Sequence, residues 1–439
     1  MVDMTKLFAG EQGYDQAVAG FQTAVPHRPE VVVAAASVQD VVDAVGLARD
    51  RGLTVAVQAT GHGARVPADG VLITTGRMAG VRVDPVARTA SVEAGVRWAA
   101  VIEQAAVHGL APLAGSAPGV GAVGYTLGGG IGLLGRTYGY TADHVTALDV
   151  VTADGRPRHV TAETEPDLFW ALRGGRAPVG VVTGMTIRLV PVPVVHGGGL
   201  HFDAAHATEV LAAFRELTAA APETLTSSVG MVGLPPIEAI PEPLRGKHVL
   251  HVRLASTVAL DPALLAPLRA IGPLVDRVGQ VAAADVGSIY GDPDFPHAYV
   301  GDNVLLDSLP AAVLDAARTI AGPGSDVPCV VDVRHLGGAM ARPPSSPNAV
   351  PYREAAYILR VLSPAGDVAA ARAVHNRVFA AAAPYAIGRA ATFGYGPVDA
   401  GSSLPPLFDP ATAARLAQVR GQFDPQGVFL SVADANICS

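Results

Sequence analysis

A histidine set among small residues, Ala59-Thr60-Gly61-His62-Gly63-Ala64, is the first place in this 439-residue sequence where chemistry could occur. Bare amides on either side can approach an anion without side chains in the way, as a pyrophosphate requires. A neutral imidazole also offers a ring lone pair that can attack an electrophilic methyl group of a cofactor. Taken alone, His62 reads first as a turn histidine hydrogen-bonded to its neighbours. A second glycine-rich run over 115–132, GSAPGVGAVGYTLGGGIG, changes the balance. Val120, Val123, Leu127 and Ile131 intersperse its glycines, where a solvated linker would carry Ser, Lys or Glu. Buried glycine backbone beside a ligand accounts for that pattern, and the two segments together describe a cofactor both cradled and chemically attached. Gly128-Gly129-Gly130 does not sit between a clean strand and helix, which argues against a Rossmann fingerprint.

Proton transfer needs a further group, and tyrosines are the available ones. Tyr125 and Tyr138 flank the second glycine run; each could accept a substrate proton if hydrogen-bonded to a positive charge, or simply stack. Tyr357 alternates with Leu359 and Val361, so both a core aromatic and a hydroxyl aimed at substrate stay open. Tyr395 follows a glycine in an irregular segment. A phenol ionises near pH 10, so a base of this kind needs a cation beside it; Arg353 and Arg360 are the nearest in sequence, and strand alternation sets Arg360 opposite to Tyr357. His335 shares a strand face with Val331 and Val333 and reads as a core histidine.

The elements that must hold these groups can be read from periodicity and punctuation. Short β-branched runs predict strands over 31–34, 53–57, 71–74, 81–83, 89–92 and 147–152, the last closed by an Ala153-Asp154-Gly155 turn. Ser37 followed by Asp40 predicts a capped helix over 38–51. A helix over 98–108 and another capped by Thr164 with Pro166 in its first turn complete this part. The stretch 190–199, alternating Pro and Val before three glycines, predicts the crossing to a second unit beginning near Leu200. That unit offers helices over 207–221 and 365–383 and strands over 249–255, 329–335 and 357–362. Interleaved helices and strands without a repeat favour an α+β class.

Composition bounds the function. Two domains are expected at this length. A net charge of −8 without a basic block argues against a nucleic-acid partner. The apolar stretches are broken by charged residues, so no membrane span is expected, and the opening residues carry no export signal, which predicts a cytoplasmic chain. Only Cys329 and Cys438 occur, offering neither a disulfide framework nor metal-ligand spacing.

The chain resembles the FAD-linked oxidases of the vanillyl-alcohol oxidase superfamily, and more closely the bacterial berberine bridge enzyme-like branch. The resemblance rests on Gly61-His62-Gly63, the Gly115-Ser116 to Gly132 run, Arg136-Thr137-Tyr138-Gly139-Tyr140 with Asp143, and Val151-Thr152-Ala153-Asp154-Gly155. It continues through Asp167-Leu168-Phe169-Trp170-Ala171-Leu172-Arg173-Gly174-Gly175, Gly180-Val181-Val182-Thr183, His335-Leu336-Gly337-Gly338-Ala339, Arg353 near Tyr357, Phe423-Asp424-Pro425 and Asn436-Ile437. It implies an α+β, two-domain fold with an FAD-binding domain over 1–195, an antiparallel-sheet substrate domain over 196–400, and a return of 401–439 to the first domain. FAD contacts would come from 59–64, from Gly115, Ser116, Val120, Gly121, Gly124, Tyr125, Gly128, Gly129, Gly130 and Gly132, from Gly180, Val181 and Val182, and from Asn436.

In the same resemblance His62 bonds covalently to the flavin. Relatives with a second, cysteinyl bond have their thiol where this chain has Ala117, which leaves attachment through His62 only. Other departures stand out. Arg176-Ala177-Pro178-Val179 replaces a glycine–asparagine–aromatic stretch, the Tyr-x-Asn base is absent around Arg389 to Tyr395, and no carboxylate follows on the Tyr357 strand. Tyr357, then Tyr138 or Tyr395, are the expected bases. The implied activity is oxidation of a small natural product, sugar or polyketide-type intermediate, with dioxygen reoxidising the flavin. A flavin-containing cyclase or isomerase, or a non-catalytic flavoprotein, is the alternative, and the oligomeric state is undefined.

Overall fold

In the computed structural model, residues 6–399 and 402–430 are described. Asn436, expected to touch the cofactor, lies outside them. Three sheets organise the described residues. A four-stranded sheet runs in the order Lys6–Phe8, Val31–Ala34, Val71–Thr74, Val55–Gln58, its last three strands parallel. Helix Val38–Arg51 covers it, opened by a reciprocal Ser37–Asp40 capping box and closed by left-handed Gly52. A five-stranded antiparallel sheet follows, in the order Val81–Asp84, Thr89–Glu93, Gly180–Arg188, Val145–Thr152, Pro157–Val160.

The third sheet is antiparallel and contains Val194–Asp203, His248–Ser256, Leu225–Gly233, Val330–His335, Tyr357–Pro364 and Tyr299–Leu306 in that spatial order, with short strands at its margins. Alternation gives it two unlike faces. Val252, Leu254, Val229, Met231, Val331, Val333, Leu359 and Val361 enter one core with the helices Ala207–Ala220, Pro262–Ile271, Ala311–Ala321 and Val368–Ala382. The opposite face carries Arg253, Asp332, Arg334 and Arg360 and lines a cavity shared with the four-stranded sheet and the second glycine run.

Several sequence expectations shift. The expected crossing at 190–199 is shorter, because Val194–Asp203 is already a strand of the large sheet; a Cβ on Gly197 would stand 2.0 Å from the Leu254 carbonyl oxygen, so the glycines serve close strand packing rather than freedom. Thr164 does not cap the helix Pro166–Leu172; Glu165, at φ 54°, holds that position. The second glycine run is partly helical, at Ala122–Leu127. The C-terminal helix Pro410–Phe423 packs Val419 and Phe423 into the core of the five-stranded sheet, and Val428 and Phe429 join that of the four-stranded one. Val55 exchanges backbone hydrogen bonds there, accepting from Leu430 and donating to Val428.

Candidate active site

Strand Val55–Gln58 runs straight into the turn that carries His62. Gly61 stands at φ 74°, and a Cβ there would lie 2.7 Å from the Gly20 Cα, so both conformation and space demand glycine. His62 is held from three sides. Its ring stacks on Phe21 with centroids 3.7 Å apart, its Nδ1 shares a 2.8 Å hydrogen bond with the Thr60 hydroxyl, and its carbonyl accepts from the Tyr299 phenol at 2.8 Å. Burial, then the nearby charges of Arg97 and His297, lower its pKa to about 4. The imidazole is therefore neutral at physiological pH, and its Nε2 has no hydrogen-bond partner among the described residues.

The turn opens on a cavity of about 780 Å³, toward the upper end of small-ligand sites. Residues 59–64 line it with Gly115, Ser116, Val120, Gly121, Gly124 and Tyr125. Gly128, Gly129, Gly130 and Gly132 do not reach it, although Ile131 among them does. Their role is close packing: Gly130 is at φ 75°, and a Cβ there would meet the Thr141 side chain at 2.5 Å. Gly180, Val181 and Val182 are also away from the cavity, paired in the interior of the five-stranded sheet against Thr152, Val151 and Val150.

The tyrosines divide. Tyr395 lines the cavity, its ring 5.3 Å from that of Tyr299. Burial raises its pKa, while Arg360, hydrogen-bonded to it, and Arg334 pull the other way. Tyr357 points to the helix-covered face, where its hydroxyl is 2.9 Å from that of Thr218 and its ring stacks on His335. It is not a cavity residue, because two-residue alternation puts Tyr357, Leu359 and Val361 on one face and Arg360 on the other. Tyr138 is likewise off the cavity, packed near Leu133, Leu134 and Val190. His335 bonds Arg136 through Nε2 at 3.0 Å, on the Tyr357 side.

On the opposite wall the sequence singles out Tyr395 and Arg360 but not Arg253, Asp332 or Arg334. Asp332, 1% exposed, accepts from Arg253 at 2.5 Å on one oxygen and from Arg360 at 2.8 and 3.0 Å on the other. Burial alone would raise its pKa, but Arg360, Arg253 and Arg334 outweigh that and hold it at about 2. Gly230 makes the arrangement possible, since a Cβ there would stand 2.5 Å from the Arg253 Nη2. The available signal was a charged residue at alternate positions of strands otherwise apolar, VVDVRH and YILRV. Arg176, from the segment that departs from the resemblance, lies at φ 45° between Gly63 and Gly128; burial, then Arg65, lower its pKa to about 10. The walls are stitched together by Ser116 donating to Asp292 at 2.5 Å and Thr392 donating to the Gly128 carbonyl at 2.8 Å.

A family model described as an FAD binding domain matches residues 29–161. That span contains the histidine turn and the whole second glycine run. An FAD-linked oxidoreductase of Dictyostelium discoideum is 26% identical over 326 residues, 73% of this chain and 69% of that protein. (R)-6-hydroxynicotine oxidase of Paenarthrobacter nicotinovorans is 30% identical over 190 residues, and the match spans 43% of this chain and 42% of the relative. Among solved structures, 6-hydroxy-D-nicotine oxidase from Arthrobacter nicotinovorans superposes with a TM-score of 0.81 at 22% identity, covering 97% of this chain and 96% of that one. Xylooligosaccharide oxidase from Myceliophthora thermophila C1 gives 0.80 at 19% identity, covering 96% and 95%. The chain has the α+β fold of the vanillyl-alcohol oxidase type, and it is an FAD-dependent oxidoreductase. Among the described residues no helix is long and apolar enough to cross a membrane, and no cluster of His, Cys, Asp or Glu could hold a metal.

Proposed function

We propose that the protein is an oxidase of the berberine bridge enzyme-like kind, acting on an alcohol or amine-bearing carbon of a small natural product, sugar or polyketide-type intermediate in the cytoplasm. The observation that carries this reading is one cavity walled on one side by the His62 turn and on the other by Tyr395 with its arginines. The residues fit the cofactor: small-residue backbone at 61–63 and 115–121 along the cavity, glycine positions such as Gly61 and Gly115 where a Cβ would crowd its neighbours, and a neutral histidine with a free ring nitrogen. FAD, when bound, supplies the hydride acceptor and passes the electrons to dioxygen.

The chain's own groups do the rest. His62 is the single covalent anchor, because the only alternative position is Ala117 and carries no thiol. Thr60 and Phe21 fix its ring, so that the neutral nitrogen is presented without reorganisation. Tyr395 takes the substrate proton, with Arg360 and Arg334 stabilising the phenolate that forms. Of the described residues, those up to 195 and those from 402 onward form the cofactor domain and 196–399 the substrate domain. Acid precipitation tests the anchor: the yellow colour stays with wild-type polypeptide and leaves His62→Ala. Anaerobic addition of a turned-over alcohol or amine must bleach the flavin; turnover without bleaching would overturn the oxidase reading.

A further inference from the structure

Three arginines stand around one carboxylate on the sheet wall, and only two of them are bonded to it. Arg253 and Arg360 are both bonded to Asp332. Arg334, 1% exposed and lining the cavity, has no carboxylate partner; its Nη1 donates to the Ile131 carbonyl at 3.0 Å, while Nε and Nη2 are buried without any hydrogen-bond partner. Leaving two guanidinium donors dry and unpaired is expensive, so a ligand with matching acceptors is expected there. The free pair is the Nε–Nη2 edge, whose two parallel N–H bonds match the two oxygens of a carboxylate. Tyr290 and Phe393 stand 5.0 and 5.5 Å from the same guanidinium and fix its plane. The local charge agrees, since three guanidinium groups face a single buried carboxylate.

Resting on the oxidase reading above, we propose that the substrate carries a carboxylate and that Arg334 binds it side-on, positioning the carbon to be oxidised. The substrate class is thus a hydroxy or amino acid in the broad sense: an alcohol or amine bearing an organic acid group. The flavin ring itself presents a planar acceptor pair, and the experiment must separate the two occupants.

Oxidised holoenzyme is titrated with acetate, benzoate and phenylacetate and with their primary amides, following the flavin difference spectrum. At least one acid should perturb the spectrum saturably while its amide binds far more weakly. Arg334→Gln should weaken that acid by roughly 30-fold or more, the loss expected when one partner of a buried charge pair is removed, and leave the amides unchanged. Arg334→Lys, which keeps charge but loses the fork, should fall between. Acids and amides that bind alike, or an Arg334→Gln enzyme that still prefers the acid, overturn the proposal. So does an Arg334→Gln enzyme with an altered flavin spectrum or lost flavin whose acid preference survives, since the edge then belongs to the cofactor. Bleaching by alcohols regardless of a carboxylate would sink this inference and leave the oxidase reading standing; no bleaching by any donor would sink that reading instead.

Discussion

Along the His62 turn and the second glycine run the cavity is walled by backbone, and the side chains there are absent or neutral. Across from it, three strands of the large sheet present three arginines and a carboxylate with aromatic rings between them. The first wall achieves its shape by removing atoms: Gly61 sits where any Cβ would strike Gly20. The second achieves it by concentrating charge that only mutual pairing makes tolerable in a buried place. A wall of amides can cradle one conserved type of group, such as a phosphate, whereas a wall of side chains can be changed residue by residue. Substrate choice belongs on the second wall for that reason.

The largest effect should come from unbalancing the charged wall. Asp332→Asn leaves Arg253 and Arg360 buried without a counter-ion, and a loss of about 3–5 kcal/mol in urea unfolding at pH 7 is expected. A loss below about 1 kcal/mol would mean that water reaches the cluster and that the contrast between the walls is false. Acid sharpens the same test. The folded carboxyl is held at about 2, below its unfolded value of about 3.9, so its contribution is complete above that unfolded value and disappears as pH falls toward 2. Asp332→Asn should lack that portion of the acid sensitivity.

Next in size is the chemical step. Tyr395→Phe should retain flavin and slow anaerobic flavin reduction by about 10²-fold, the range of a lost general base. Since burial raises the phenol, reduction by wild type should keep accelerating into the alkaline range, and the variant should lose that slope. An unchanged rate and profile would move the base elsewhere and make the charged wall a binding surface alone.

The backbone wall predicts a smaller, sign-sensitive pair. Gly61→Ala should destabilise the protein by about 1–3 kcal/mol through forced strain and deplete FAD, read by thermal melting and by absorbance. Gly124 lies within the helix Ala122–Leu127 with nothing inside 4 Å of its Cβ position. Gly124→Ala should therefore stabilise the apoprotein by up to about 1 kcal/mol, yet weaken FAD binding because the methyl enters the cavity. Equal behaviour of the two substitutions in the apoprotein would erase the distinction between a glycine needed by the fold and one needed by the ligand.

The two walls differ as much in legibility as in chemistry. The histidine turn and glycine run are local, so residue types within a few positions disclosed them, and the strands and capped helix beside them were equally readable. Where glycine meant close packing, as at Gly130 or Gly180, the sequence alone did not separate it from ligand contact. The charged wall joins Arg253, Asp332, Arg334 and Arg360 through register, with Gly230 opposite Asp332 and Ser228 opposite both Arg253 and Arg334. No spacing in a single sequence encodes which strands become neighbours, so Arg360 could be singled out alone, while Arg253, Asp332 and Arg334 joined it only once the sheet was assembled.

Tyr357 gives the smallest and most discriminating prediction. Alternation told that it shares a face with Leu359 and Val361 but not which face meets the cavity, and the helices decide that by burying Leu359 and Val361. Thr218 donates its own hydroxyl to the Arg215 carbonyl, so the phenol of Tyr357 is the donor in their 2.9 Å contact. Tyr357→Phe removes one such hydrogen bond and leaves an oxygen that keeps its other partner. A stability loss of about 0.5–1.5 kcal/mol in urea unfolding is expected. Flavin content and the anaerobic reduction rate should match wild type. A tenfold slower reduction with normal flavin loading would put Tyr357 back into the chemistry and require the large sheet to present its other face to the cofactor, which would undo the assignment of both walls.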